Sequence, residues 1–280
     1  MEIQRVGILW NPEKAGGLAI AKRLTEALER RGVSVRLDKA LAAHLGRASA
    51  RDFSGCDLLA VLGGDGTLLS AMDIAIPLDL PMLGINLGRL GFLSEVEPEN
   101  LERDLDRLLM GEGTLEERML LQIEGEDADR MVALNEISIM RRGQSIGILS
   151  LELEIDGVVI DRISGDGLIV ATATGSTAYS LSAGGPIVSP GLDCFVLTPV
   201  CPHTMNARPV VAGADTRIVV RVLGDPSSTH AVLDGRRTLA LGARRPGISI
   251  VKAEKKARFL RLNQRNYFDL LRRKLSQWTH

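Results

Sequence analysis

The sequence has few of the features that stabilise or localise a chain by special means. It contains only three cysteines, Cys56, Cys194 and Cys201, and their odd number and wide spacing match neither a secreted disulfide framework nor a zinc site. No apolar stretch approaches the roughly 20 residues that a membrane-spanning helix needs. The first residues lead into a short strand rather than a signal sequence. We therefore expect a cytoplasmic protein that does not associate with membranes.

Aromatic residues and net charge are also scarce. Aromatic residues make up 3% of the 280 residues, and 34 Lys and Arg stand against 35 Asp and Glu, for a formal net charge of -1. Base-stacking platforms need aromatic side chains, and nonspecific nucleic-acid binding needs a positive field. No nucleic-acid partner is therefore expected, and any anionic ligand must be held by local groups. What the chain has in abundance is glycine, with 29 residues, which favours turns where the backbone approaches a ligand closely.

The first third of the chain alternates between short apolar strands and stretches with helical periodicity. Strands separated by crossover helices form a parallel sheet, so the alternation predicts a doubly wound, Rossmann-like α/β domain. The strands are predicted at residues 5–10, 33–37, 57–62 and 81–85, and the helices at residues 18–31, 68–76 and 98–110.

After residue 113 the periodicity changes to that of strands, which predicts a β-rich second domain. A final amphipathic helix at residues 267–278 is expected to pack back on the first domain. The predicted domains are therefore 1–114 plus 265–280 and 115–264. Strand-like runs lie at residues 118–124, 131–140, 146–155, 158–163, 195–198, 217–223, 230–233 and 247–251, and Asp156-Gly157 is a hairpin signal.

The sharpest local motif is Gly63-Gly64-Asp65-Gly66-Thr67, here called the Gly-Gly-Asp-Gly-Thr loop. It follows an apolar strand and precedes an apolar helix predicted to start at Leu68, so it presents backbone N–H groups and a helix N-terminus to an anion such as phosphate. The alternative is that Asp65 only caps the helix and the glycines only turn the chain. An acid among glycines at an anion site would repel phosphate unless it served a metal or chemistry.

Two further segments carry polar groups suited to a nucleoside. The hydroxyl-rich turn, residues 174–182 with the sequence Thr-Gly-Ser-Thr-Ala-Tyr-Ser-Leu-Ser, offers donors and acceptors for an adenine edge or a ribose, or is a turn with no function. Asn135-Glu136 stands in an apolar run, where an amide and an acid are costly unless a partner satisfies them.

These three segments, in this order, resemble the NAD kinase family. The resemblance extends to residues 84–93, Gly-Ile-Asn-Leu-Gly-Arg-Leu-Gly-Phe-Leu, and to Pro202-His203-Thr204 followed by Ala207-Arg208-Pro209. It covers nearly the whole chain, although the Gly-Gly-Asp-Gly motif alone is shared with lipid kinases and phosphofructokinases. The resemblance implies an enzyme that transfers the terminal phosphoryl group of ATP, with Mg²⁺ or another divalent metal, to the 2′-hydroxyl of the adenosine ribose of NAD, giving NADP.

The resemblance also implies roles for individual residues. Asp65 would be the base that takes the ribose hydroxyl proton, with Gly64, Gly66 and Thr67 near the phosphates. Asp166 would lie by the nicotinamide half. The adenosine half would be held by Asn135 and Glu136, and the adenine pocket would be lined by residues of the hydroxyl-rich turn, namely Thr174, Thr177, Ala178, Tyr179 and Ser182.

The family is commonly a dimer or tetramer whose NAD site borrows residues from a neighbouring subunit, so a homo-oligomer is implied. Two positions depart from the family pattern: Ala173 stands where a proline is frequent, and Arg236 where a glutamine is frequent. Arg236 is assigned a phosphate contact or an effect on acceptor preference. The four histidines lack ligand spacing, so no dedicated metal site is expected and Mg²⁺ should arrive with the nucleotide.

Two other functions remain open at this stage. A diacylglycerol or sphingoid-base kinase would use the same loop chemistry but would need an apolar channel for its acceptor. A dinucleotide-sensing module would bind the nucleotide without transfer, and would gain little from Asp65. The sequence leaves undecided the choice between NAD and NADH, between ATP and polyphosphate, between dimer and tetramer, and any feedback by NADP or NADPH.

Overall fold

A computed structural model describes residues 2–50, 52–88, 91–125, 131–141, 148–204, 206–263 and 266–277. The chain divides into two compact units, Met1–Glu117 with Ala257–His280, and Arg118–Lys256. The predicted boundaries at 114/115 and 264/265 differ from this division, because the strands at Thr114–Arg118 and Ala257–Arg261 belong to the sheet of the first unit. Predictions that fall on Arg89, Leu90, Ile146 and Trp278 lie outside the described residues.

The secondary structure alternates first and is then mostly strand. The helices are α1 (Gly17–Arg30), α2 (Lys39–Leu45), α3 (Asp65–Ala75), α4 (Leu101–Leu109), α5 (Tyr179–Ser182) and α6 (Tyr267–Gln277). The strands are β1 (Arg5–Trp10), β2 (Ser34–Leu37), β3 (Leu58–Gly63), β4 (Met82–Asn86), β5 (Thr114–Arg118), β6 (Leu121–Ile123), β7 (Val132–Ala133), β8 (Glu136–Arg141), β9 (Leu149–Ile155), β10 (Val158–Gly165), β11 (Gly167–Thr172), β12 (Cys194–Val200), β13 (Val210–Gly213), β14 (Ile218–Leu223), β15 (Thr229–Leu233), β16 (Arg237–Ala240), β17 (Gly247–Lys252) and β18 (Ala257–Arg261).

The first unit is built on one six-stranded sheet with the order β2-β1-β3-β4-β18-β5. The pairs β1–β2, β1–β3 and β3–β4 are parallel, as the alternation of strands and helices predicts, and the pair β4–β18, which was not predicted, is parallel too. Because β2 and β3 lie on opposite sides of β1, the strand order reverses between β1 and β3. Ligands of open α/β sheets bind at such a switch point, outside the carboxyl ends of the strands.

The helices of the first unit follow the predictions with two corrections. Helix α3 starts at Asp65, not at Leu68, because the extended backbone of Gly64 caps the helix directly after β3. Helix α2 was not predicted; its N-cap is Asp38, whose carboxylate accepts the Leu41 N–H at 2.7 Å. Helix α6 belongs to the first unit and its Leu271 is buried.

The second unit contains two six-stranded sheets, one with the order β10-β9-β14-β17-β6-β7 and the other with the order β13-β12-β11-β8-β15-β16. Two predicted strands are wrong as single elements. The run 118–124 is divided between β5 and β6, and the run 131–140 is divided between β7 in one sheet and β8 in the other. The chain changes sheet at Leu134-Asn135, so a continuous apolar pattern does not correspond to a continuous strand.

Apolar side chains cover both faces of the second sheet at β11. Leu168 and Val170 belong to the large core of the second unit. The alternate residues Ile169 and Ala171 belong to a separate cluster that includes Ala183 and Val188 from the segment after the hydroxyl-rich turn. This two-sided burial fixes the end of β11, from which the turn begins.

Candidate active site

The Gly-Gly-Asp-Gly-Thr loop lies at the carboxyl end of β3, at the switch point of the first sheet. A Cβ at Gly63 would collide with the Thr67 side chain, whereas nothing lies within 4 Å of a Cβ placed at Gly64 or Gly66. The first N–H groups of a helix have no intrahelical acceptor. The open backbone at the start of α3 therefore suits an anion, and phosphate fits it chemically.

The side chain of Asp65 does not cap α3. The N-cap is Gly64, and no side chain caps the helix. The Asp65 carboxylate instead accepts two hydrogen bonds from backbone N–H groups of the loop after β4. Phe92 donates at 2.8 Å and Leu93 at 3.1 Å. A Cβ at Gly91 would collide with the same carboxylate. Each carboxylate oxygen has a second lone pair, so Asp65 is oriented and can still accept a bond from a ligand.

The loop that holds Asp65 is itself fixed by buried charge. Glu95 is buried, and its Oε1 accepts the N–H groups of Leu262 at 3.0 Å and Asn263 at 2.7 Å. Arg261 donates to the Leu93 carbonyl at 2.8 Å and pairs with Glu116 at 2.5 Å. The last residue of β18 and the two residues after it thus stabilise the loop whose backbone orients the Asp65 carboxylate.

Asn11 contacts the Gly-Gly-Asp-Gly-Thr loop, and the sequence interpretation did not single it out. It follows β1 directly, on the other side of the switch point, and its side-chain amide donates to Thr67 Oγ1 at 3.3 Å. Thr67 is buried. The available signal was a polar residue immediately after a strand that precedes a crossover helix.

In the second unit, Asn135 and Glu136 lie where the chain crosses between the sheets. The Asp234 carboxylate accepts the backbone N–H groups of Leu134 at 2.9 Å, Asn135 at 2.7 Å and Glu136 at 3.1 Å. Asp234 was also missed, because its Asp-Gly sequence indicates only a hairpin turn. That turn joins β15 to β16, and Asp234 and Gly235 have φ values of 49° and 65°.

Glu136 is a buried acid with an unusual environment. Its side chain is 8% exposed. Burial first, and then the neighbouring Asp234 carboxylate, raise its pKa to about 7, against a hydrogen bond from the Tyr179 backbone that acts in the opposite direction. Among the described residues, none provides a hydrogen-bond partner for Glu136 Oε2. A buried acceptor without a partner is costly, so Oε2 is available for a ligand.

Some side chains of the hydroxyl-rich turn are buried and bonded within the protein, and others are exposed to solvent. Ser176 and Ser180 are fully buried; Ser176 Oγ bonds the Ala173 carbonyl at 2.7 Å, and Ser180 Oγ bonds Thr198 Oγ1 at 2.8 Å. Thr174 Oγ1 accepts from Arg118 at 3.1 Å. The partly or fully exposed side chains of the turn are Leu181 and those predicted to line the adenine pocket, namely Thr174, Thr177, Ala178, Tyr179 and Ser182.

The turn packs directly on the Asn135 segment. The Thr172 N–H donates to the Asn135 carbonyl at 2.9 Å, and a Cβ at Gly175 would collide with that carbonyl. Thr172 Oγ1 donates to the Leu134 carbonyl at 2.5 Å and accepts the Gly175 N–H at 3.0 Å. Asn135, Glu136 and the turn thus form one cluster, and exposed Arg236 lies in the same hairpin turn as Asp234.

Asp166 is not brought to this cluster. It precedes β11, whereas the hydroxyl-rich turn follows it, and the strand's six residues span about 20 Å. Asp166 is exposed and lies beside Cys201, whose thiol pKa is raised by a hydrogen bond to Asp166 and by that residue's charge. One chain therefore does not gather all the predicted NAD-binding residues at one place within the second unit.

In the described part of the chain, no group of three or more His, Cys, Asp or Glu side chains is arranged to hold a metal ion. None of the helices among the described residues is long and apolar enough to cross a membrane.

An oriented carboxylate beside an open helix N-terminus, on a doubly wound sheet, defines the class of a nucleotide-dependent phosphotransferase. Comparison with known proteins identifies the particular family. Residues 6–113 match the ATP-NAD kinase N-terminal domain, and residues 134–262 match the ATP-NAD kinase C-terminal domain. The chain belongs to the NAD kinase family.

Individual relatives agree with this assignment. The chain is 40% identical over 283 residues to the NAD kinase of Symbiobacterium thermophilum, covering 97% of this chain and 99% of the relative. It is 40% identical to that of Moorella thermoacetica, covering 98% and 90%. The crystal structure of an NAD kinase from Archaeoglobus fulgidus in complex with ATP superposes with a TM-score of 0.78 at 32% identity, over 96% of this chain and 98% of that chain. Yeast NADH kinase complexed with NADH, at 24% identity and a TM-score of 0.86, covers 99% of this chain and 88% of that chain and shows the same fold.

The predicted family and fold class are therefore confirmed, as is the prediction of a kinase that phosphorylates NAD with ATP, at the level of the family. The match decides against the lipid-kinase alternative. The roles of the individual site residues stay predictions.

Proposed function

We propose that the chain transfers the terminal phosphoryl group of ATP to the 2′-hydroxyl of the adenosine ribose of NAD, giving NADP and ADP. The observation that carries this proposal is the Asp65 carboxylate, oriented by two backbone N–H groups at the start of a helix with open backbone. An anion site that only bound phosphate would gain nothing from an acid there.

Asp65 acts as the general base. As the bond from O2′ to phosphorus forms and the bond from phosphorus to the ADP oxygen breaks, the hydroxyl proton passes to the Asp65 carboxylate and then to solvent. The backbone at Gly64 and Gly66 and the N-terminus of α3 hold the phosphates. In a loose phosphoryl-transfer transition state most of the rate comes from alignment and charge neutralisation, so the base is one contribution among several.

Mg²⁺ is best supplied with the nucleotide. The described residues offer no three-ligand cluster, and Mg²⁺ commonly keeps several waters while it is held by substrate phosphates and one or two carboxylates. The described side chains near Asp65 thus fit a cation that arrives bound to ATP. These described side chains do not form a site that would hold the cation through protein ligands alone. When bound, such a cation neutralises phosphate charge.

The adenosine half of NAD is held by the cluster in the second unit. Glu136 Oε2 is buried and has no partner among the described residues, so ribose hydroxyls can satisfy it. The half-buried Asn135 provides an amide, and Thr177 and Tyr179 provide neutral donors and acceptors for an adenine edge. Arg236, exposed in the adjacent turn, would contact a phosphate of the dinucleotide.

Product identification tests the function. The protein is incubated with Mg²⁺, ATP and NAD, and the expected product is a dinucleotide heavier by one phosphate, located by NMR at the adenosine 2′ position. Parallel reactions replace ATP by polyphosphate and NAD by NADH, which defines donor and acceptor range. Tight NAD binding without ATP consumption would support a sensing module instead.

We further propose that the enzyme self-associates. Asp166 lies about 20 Å along β11 from the hydroxyl-rich turn, and a second copy of the chain would bring another Asp166 to the nicotinamide half. Strand β10 is at the end of its described sheet and carries three consecutive exposed apolar residues, Val158, Val159 and Ile160. An uncovered apolar edge strand favours pairing with another chain.

The Ile160→Glu variant should reduce the molar mass measured by light scattering after size exclusion, because a charge on this strand opposes burial in an interface. Activity at low protein concentration should fall with it. Met110→Glu is the matched control, since Met110 is an exposed apolar residue of the first unit that does not belong to a run of exposed apolar residues. Unchanged molar mass for Ile160→Glu would argue against this interface.

The cysteines support a cytoplasmic location. Cys56, Cys194 and Cys201 are all free thiols, and the first two are buried. Free thiols persist in a reducing compartment, which is also where we propose the enzyme meets ATP and NAD.

A further inference from the structure

Asp234 is a half-buried acid outside the residues assigned above to substrate contact or chemistry. Its only sequence signal is an Asp-Gly turn, yet its carboxylate makes more hydrogen bonds to backbone than the turn requires. We propose that Asp234 is a positioning residue for NAD, which fixes the segment 134–136 so that Asn135 and Glu136 face the dinucleotide. This inference rests on the proposed function.

The backbone that crosses from β7 to β8 needs hydrogen-bond acceptors that Asp234 provides. Strand β7 pairs in one sheet and β8 in the other, so the N–H groups between them lie outside a regular ladder. Buried N–H groups need acceptors. One carboxylate satisfies three successive groups, at 2.9, 2.7 and 3.1 Å, and the Asp234 N–H returns a bond to the Glu136 carbonyl at 2.9 Å. Hydrogen bonds to a charged acceptor are stronger than neutral ones.

The tight turn between β15 and β16 fixes the Asp234 carboxylate in place. Asp234 has a φ of 49°, in the left-handed region that short polar residues tolerate, and Gly235 follows at 65°. The Arg236 N–H closes the turn on the Leu233 carbonyl at 2.9 Å, and β15 pairs with β8 through Leu233 and Ile137. The turn is thus tied to the strand that begins at Glu136.

The segment 134–136 supports both parts of the proposed NAD site, its own Asn135 and Glu136 and the hydroxyl-rich turn. The Leu134 carbonyl accepts from Thr172, and the Asn135 carbonyl accepts from the Thr172 N–H and packs against Gly175. A shift of residues 134–136 would therefore move Asn135, Glu136 and the start of the hydroxyl-rich turn together. Small displacements of binding groups weaken binding without removing any contact residue.

The charge of Asp234 provides a readout that a turn residue alone would not. The Asp234 carboxylate is one cause of the raised pKa of Glu136. Burial raises the pKa of Asp234 itself, whereas the N–H groups of residues 134–136 and the neighbouring Arg237 guanidinium, another charged group at the crossing, act in the opposite direction. Neutralising Asp234 should therefore lower the pKa of Glu136, and the pH at which NAD binding changes should fall with it.

The test uses the full-length enzyme and steady-state kinetics with NAD varied at saturating Mg²⁺ and ATP. For Asp234→Asn we expect the KM for NAD to rise by roughly 10- to 100-fold with kcat within about threefold, as loss of charge-assisted bonds that orient a binding group predicts. The pH dependence of kcat/KM should show its break at a lower pH than in wild type. The break should be absent in Glu136→Gln.

Asp156→Asn is the matched control. Asp156 and Gly157 form a hairpin turn with φ values of 49° and 82°, and Asp156 Oδ1 accepts the Arg217 N–H at 2.8 Å. The turn is of the same kind in the same unit, and Asp156 has no part in the proposed site. We expect wild-type KM, kcat and pH profile from this variant.

A KM for NAD within about twofold of wild type in folded Asp234→Asn would overturn the inference, and so would an equal rise in the control. If Asp234→Asn does not fold, amide exchange in the wild-type protein decides. Slow exchange at residues 134–136 without NAD supports the inference, and exchange at unprotected rates overturns it. If wild type binds NAD but forms no NADP, the proposed function fails separately, and amide exchange still tests Asp234.

Discussion

The Asp65→Asn variant is expected to lower kcat by roughly 10²- to 10⁴-fold, the range that general-base assistance supplies. A ribose hydroxyl is a poor nucleophile at neutral pH, and an amide cannot take its proton. The amide oxygen can still accept from one of the N–H groups of Phe92 and Leu93 that orient the wild-type carboxylate. Fold and NAD affinity should therefore be nearly unchanged, as measured by thermal unfolding and calorimetry.

Asp73→Asn is the control for this variant. Asp73 is exposed on the same helix α3, two turns beyond Asp65, so the substitution changes the charge of the helix without reaching the loop. Its kcat should equal that of wild type. If Asp65→Asn kept turnover within about threefold of wild type, Asp65 would not be the base.

The second large effect concerns stability and pH. Glu136 has a pKa of about 7 in the folded chain, against an ordinary value of 4.5, chiefly because it is buried. The folded state therefore binds this proton more tightly than the unfolded state. Its stabilising contribution is complete below about pH 4.5 and is lost as the pH rises to about 7. Glutamine stays neutral, so Glu136→Gln should be more stable than wild type by about 3 kcal/mol at pH 8, and by less than about 1 kcal/mol at pH 5.

Urea unfolding of the ligand-free proteins at both pH values measures this difference. Glu254→Gln, at an exposed position of the same unit, should change stability by less than about 0.5 kcal/mol at either pH. A stability difference between Glu136→Gln and wild type that is the same at pH 5 and pH 8 would show that Glu136 does not titrate as described.

The sequence predicts those parts of the fold in which local pattern and tertiary role coincide. Strand β1 and helix α1 have regular apolar periodicity, and Gly32, with a φ of 77°, ends the helical segment as expected. Strand β18 was not predicted because its pairing is long-range. It pairs with β4, although the whole second unit lies between the two strands in the sequence. The break between β7 and β8 was missed because apolar residues continue through it, and it is visible only in the sheet pairing and in the contact with Asp234.

For the proposed site, sequence motifs single out the side chains that would face a ligand better than the residues that hold those side chains in place. Asp65 and Glu136 were identified because acids among glycines or apolar residues are unusual. Asn11 and Asp234 were not, since each acts through a partner more than 50 residues away in the chain. The loop contact of Asp65 was also unforeseen, because backbone donors such as Phe92 N–H have no residue-type signal.

The most direct measurement is a crystal structure of the enzyme with NAD bound. We expect a carboxylate oxygen of Asp65 to lie about 2.6 to 3.2 Å from O2′ of the adenosine ribose, within the reach of a general base. A well-ordered NAD whose O2′ lies beyond about 5 Å from Asp65, with no bridging water, would contradict it.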